Sequence, residues 1–114
     1  MVKQPIKTTK KKNSRAKGAR GERELSTLLK EHGFDTRRGQ QYCGANGDAD
    51  VVGLPGIHIE CKRVEKLNIY NALEQARNDK KDNEIATVFH RKDRSDWLVT
   101  MSFTDWIEMY KKTV

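Results

Sequence analysis

Apolar residues along this chain change their period several times, and each change marks an element. Leu25, Leu28, Leu29 and His32 recur at i, i+3, i+4 and i+7 ahead of Gly33, which predicts a helix from about Ser14 with one buried face. Phe34 to Gln41 reads as a short strand, and the polar, Gly-rich stretch from Gln40 to Gly47 as a loop. Two apolar runs, Val51 to Leu54 and Ile57 to Cys61, flank Pro55-Gly56 and predict a β-hairpin. The helical period returns from Asn68 to about Lys81, with Ile69, Ala72, Leu73 and Ala76 inward and Arg77, Lys80 and Lys81 outward. Ile85 to His90 and Trp97 to Met101 alternate as strands joined by the charged segment from Arg91 to Asp96. Ser102 to Asp105 carry capping residues for a last helix, whose Phe103, Trp106, Ile107 and Tyr110 are expected to pack on the sheet, or else to form a subunit interface. Helix, strand, hairpin, helix, two strands and helix make an α/β domain, a mixed sheet covered by helices.

The hairpin concentrates the chemistry. Side chains alternate along its second strand, so Ile57, Ile59 and Cys61 share one face and His58, Glu60 and Lys62 the other. A carboxylate and an ammonium two residues apart, with Asp48 and Asp50 at the head of the neighbouring strand, are the parts needed to hold a hard cation and orient a water. Glu60 and Lys62 alone are equally a solvated pair worth ~0–1 kcal/mol. The extra acids shift the balance, because several charges at one sheet position are costly without a cation. A tight turn at Pro55-Gly56 would pair Asp50 with Cys61 and point it away from Glu60. A metal site therefore requires a register offset by one, through a bulge near Gly53 or a longer loop.

Charge is unevenly placed. The 114 residues carry a net +7, yet residues 1–20 hold eight Lys or Arg and no acid, leaving 15 bases against 16 acids in the remainder. Residues 1–13 read as a basic disordered tail and residues 14–114 as one domain. Such a tail suits a polyanion, above all nucleic acid, although a plain solubilising tail has the same composition. No apolar run approaches the ~20 residues of a membrane span and no signal peptide opens the chain, so the expectation is a cytoplasmic protein. Cys43 and Cys61 are far apart, with no zinc spacing, and are expected to be reduced thiols.

Three stretches then line up: Lys17-Gly18-Ala19-Arg20-Gly21-Glu22-Arg23-Glu24-Leu25, Asp50-Val51-Val52, and Ile59-Glu60-Cys61-Lys62. Together they resemble the PD-(D/E)xK nuclease superfamily, and most closely its archaeal-type Holliday-junction resolvases and their phage and prophage relatives, over roughly Ala16 to Met101. The resemblance implies a restriction-endonuclease-like fold, with a mixed central sheet flanked by helices. It implies that Glu22 completes the acidic site, that Asp50 and Glu60 are metal ligands with the Cys61 carbonyl as another, and that Lys62 activates the water. Arg38 falls where such resolvases often place an arginine near DNA. The loop between Arg38 and Asp50 is longer than usual for the pattern, and position 61 holds Cys where Val is typical.

The reading that follows is a Mg²⁺-dependent endonuclease, with Mn²⁺ able to substitute, acting on branched four-way DNA as a homodimer. Glu22, Asp50, Glu60 and Lys62 form its site, and Lys10, Lys11, Lys12, Arg15, Lys17, Arg20, Arg37 and Arg38 contact DNA. Asp48 is a spare acid, and Gln75, beside the apolar stripe of the second helix, is a candidate contact to a water or phosphate. The alternatives are a nuclease of the same superfamily acting on linear or flapped DNA, and a non-catalytic DNA-binding module.

Overall fold

The computed structural model describes residues 18–39 and 49–114. The expected tail, Asp48 and the loop from Gln40 to Gly47 lie outside the described residues, as do Lys10, Lys11, Lys12, Arg15, Lys17 and Cys43. The chain is helical over residues 18–31 (α1), and Gly33, at φ 97°, ends the turn that follows. Next come β1 (Arg37–Arg38), β2 (Val51–Val52), β3 (Ile57–Arg63), α2 (Ile69–Asp79), β4 (Ile85–Arg91), β5 (Leu98–Thr100) and α3 (Phe103–Lys111). Of the predicted strand from Phe34 to Gln41, the described residues form strand at the two arginines that pair with Val52 and Val51, and Gln40 and Gln41 lie outside the described residues.

One five-stranded sheet runs β1-β2-β3-β4-β5. Its centre is the parallel pair β3 and β4, and the other neighbours are antiparallel. Each face has its own core. Leu25 of α1 packs with Val51, Ile59 and Cys61 on one side, while Ala72 and Ala76 of α2 close on Ala86 and Val88 on the other. The small Ala side chains of α2 let its backbone approach the sheet closely. Asn68 caps that helix, its side chain accepting from the Asn71 N–H at 3.1 Å.

The hairpin has the offset register. Leu54 accepts from the Ile57 N–H across the Pro55-Gly56 turn, yet Val51 pairs with Ile59. The first strand therefore uses Val52 and Gly53 to cover what the second covers with His58 alone, which is a β-bulge. Gly53 makes it possible. Its φ is 125°, and a Cβ there would strike the carbonyl of Asp35 and the backbone of Thr36. Thr36 is itself fixed, since its hydroxyl donates to the Ser26 carbonyl at 2.9 Å and so ties the approach to β1 onto α1.

The last helix corrects an expectation. None of its residues is buried, and Phe103, Trp106 and Tyr110 stay 75%, 47% and 49% exposed. Trp106 and Tyr110 stack on each other, with ring centres 5.2 Å apart, rather than on the sheet. Ser102 caps the helix as its sequence suggested, accepting from the Asp105 N–H.

Candidate active site

The one-residue offset turns Asp50 to the face of Glu60. Because Val51 and Ile59 face α1, the residues next to them in the pairing, Asp50 and Glu60, face α2. An Asp50 carboxylate oxygen accepts the Cys61 N–H at 2.8 Å, and the Asp50 N–H donates to the Ile59 carbonyl at 3.0 Å. The strand thus holds the acid by both its backbone and its side chain.

Glu60 is buried, and the Lys62 ammonium stands 3.7 Å from its Oε2. On its other side the buried His58 places Nε2 3.5 Å from Glu60 Oε1, and Nδ1 of that ring lies 3.8 Å from Glu84. The sequence alternation places His58 on the chemistry face without assigning it a role, and nothing in the sequence pattern points to Glu84. Only the two-residue spacing from Glu60 hinted that His58 would brace that carboxylate. The α2 helix over this face explains why these polar groups are buried rather than solvated.

Two carboxylates close together and out of water resist ionising. Burial first, and then the charge of Glu60, raise the Asp50 carboxyl to about 7, against the lowering effect of the Cys61 N–H and of Lys62. Burial, reinforced by the Asp50 charge, pushes the Cys61 thiol far up, so this free thiol stays protonated.

A cleft of about 530 Å³ is lined by Gly18, Glu22, Asp50, Glu60, Cys61, Lys62 and Gln75, among others. Glu22 reaches its wall from the first turns of α1, but its carboxylate accepts from Arg38 Nε at 2.9 Å. Among the described residues no three His, Cys, Asp or Glu gather as a ready metal cluster. The structure thus brings Asp50, Glu60 and Lys62 together and keeps Glu22 near but engaged. Gln75 lines the cleft, Arg20 and Arg37 are exposed, and Arg38 is half exposed while bound to Glu22.

A hard divalent cation fits this donor set. Asp50 and Glu60 offer oxygen ligands, and the burial and neighbouring Glu60 charge that raise the Asp50 carboxyl are both offset by such a cation. The Cys61 carbonyl belongs to the strand between Glu60 and Lys62.

No curated protein matches the chain significantly. Among solved structures it is similar to Hjc, a Holliday junction resolvase of the archaeal hyperthermophile Archaeoglobus fulgidus, at 26% identity and a TM-score of 0.56, covering 75% of this chain and 72% of that one. The model of the archaeal Holliday junction resolvase (hjc) family matches residues 13–105. That span contains α1, the bulged hairpin and its acids, so the chain belongs to the archaeal Holliday junction resolvase family, a family of metal-dependent endonucleases.

Proposed function

We propose that this chain cuts four-way DNA junctions by phosphodiester hydrolysis at the cleft of Asp50, Glu60 and Lys62, with Mg²⁺ as its working ion and Mn²⁺ as a substitute. The observation that carries the reading is the bulge at Gly53, which costs a ladder position and turns Asp50 towards Glu60. When bound, the cation would offset charge building on the phosphate and make a water easier to deprotonate.

The chain's own residues supply the rest. Asp50 and Glu60, with the Cys61 carbonyl, would hold the cation, and the Cys61 N–H keeps Asp50 from rotating away. Lys62 is 30% exposed at the cleft mouth, where its ammonium can turn from Glu60 to a phosphate oxygen or to the attacking water. Arg38 would leave Glu22 for a DNA phosphate, freeing the third carboxylate to join the site as substrate arrives. Lys10, Lys11, Lys12, Arg15, Lys17, Arg20 and Arg37 would add backbone contacts.

A four-way junction has two equivalent strands to cut, so a C₂ homodimer with two sites suits it. Support comes from the apolar face of α3, where Phe103, Trp106 and Tyr110 are exposed and available to a second copy. The test is cleavage of a synthetic four-way junction against linear duplex of the same arm sequences in Mg²⁺. Cutting of the junction alone is expected, and equal rates on both would refute junction selectivity.

A further inference from the structure

We propose that the loop joining β4 to β5 is a second phosphate-binding site, in which Lys92 and Arg94 grip the DNA backbone a few nucleotides from the cut. This rests on the junction-cleaving function proposed above and extends the DNA path beyond Lys62 along the sheet.

Because β3 and β4 are parallel, the loop leaves the sheet at the same end as Lys62. His90 pairs with Lys62 and Arg91 with Arg63. The active-site cleft and the neighbouring cleft of His90, Lys92 and Arg94 share Val64 and Glu65, so the two form one groove. Lys92 lies level with residue 64, four residues beyond Glu60 along the strand direction. At ~3.3 Å per residue this is about 13 Å, or roughly four nucleotides of duplex rise.

The loop is held in shape. Arg63 pairs with Asp93 at 3.2 Å, the Asp93 N–H donates to Glu65 at 2.8 Å, and the Ser95 N–H closes on the Lys92 carbonyl. Glu65 and Asp93 are thereby engaged within the protein, and Asp96 is the other acid lining the cleft, so its rim carries two exposed cations against one exposed carboxylate. Lys92 and Arg94 remain exposed. Arg94 also has φ 60°, and among the described residues it is the non-glycine with positive φ. Such a backbone is kept where the surroundings force it, commonly at ligand clamps. Arg91, by contrast, is tied to Glu24 at 3.1 Å and belongs to the scaffold.

The experiment measures four-way junction binding by the full chain in EDTA over a salt series, comparing wild type with Lys92→Gln/Arg94→Gln and with Lys80→Gln/Lys81→Gln. The second pair removes the same charge at the far end of the sheet, near His58 and Glu84. Each lost phosphate contact should flatten the slope of log affinity against log salt by about 0.9. The loop variant is expected to lose one to two units of slope and several-fold in affinity. The far-end variant should keep the wild-type slope. Equal slopes for the two double variants, or a wild-type slope for the loop variant, would overturn the site. Failure of the wild type to bind junctions would overturn the proposed function itself.

Discussion

Replacing Asp50 with Asn should stabilise the metal-free protein and disarm it together. In the folded chain the Asp50 carboxyl is raised from 3.8 to about 7, by burial first and by Glu60 second. The folded state therefore binds that proton more tightly than the unfolded one. The resulting stability is fully present below pH 4 and is lost as pH rises through about 7. Some 3 units at about 1.4 kcal/mol each set a ceiling of about 4 kcal/mol, which partial solvent access reduces to about 1–3 kcal/mol. Asn keeps an oxygen to accept the Cys61 N–H and carries no charge, so the variant escapes this cost. In EDTA at pH 8 its Tm should lie at least ~4 °C above wild type, and the gap should close towards pH 4. Adding Mg²⁺ should raise the wild-type Tm and leave the variant unmoved. A variant that is less stable than wild type at pH 8, or one that still gains from Mg²⁺, would refute the electrostatic reasoning.

Other substitutions probe the parts separately. Gly21→Ala should lower the unfolding free energy measured in urea by about 1–3 kcal/mol despite better helix propensity, because the new Cβ would sit 2.8 Å from Arg63 Cβ and force α1 off the sheet. Lys62→Ala should cut the single-turnover rate by about 10²–10³-fold with junction affinity kept, since the ammonium acts on developing charge. Arg38→Gln should weaken junction binding yet tighten Mn²⁺ binding by the DNA-free protein in calorimetry, because Glu22 loses its guanidinium partner. Weaker Mn²⁺ binding in that variant would mean that Arg38 orients Glu22 rather than occupying it.

Much of the fold was legible because period and punctuation agreed. Gly53 is the residue of the first hairpin run without a Cβ, so the bulge had one natural place. The stop at Gly33 and the caps at Asn68 and Ser102 are local chemistry that a sequence displays directly. What escaped was long-range. The spacing of Phe103, Trp106 and Tyr110 says that α3 has an apolar face but not what covers it, and none of the helix's residues is buried. Glu22 and Arg38 lie on different elements, sixteen residues apart, so their pairing leaves no periodic trace. His58 shares a strand face with Glu60 and Lys62 by simple alternation, but its burial follows from the placement of α2 over that strand, which the alternation does not reveal.

The account turns on Asp50 and Glu60 acting as one cation site. Crystals of the protein soaked in Mn²⁺ and measured at the manganese edge test this most directly. The expected result is an anomalous peak between the two carboxylates that disappears in Glu60→Gln. A peak elsewhere, or one that persists unchanged in Glu60→Gln, would contradict it.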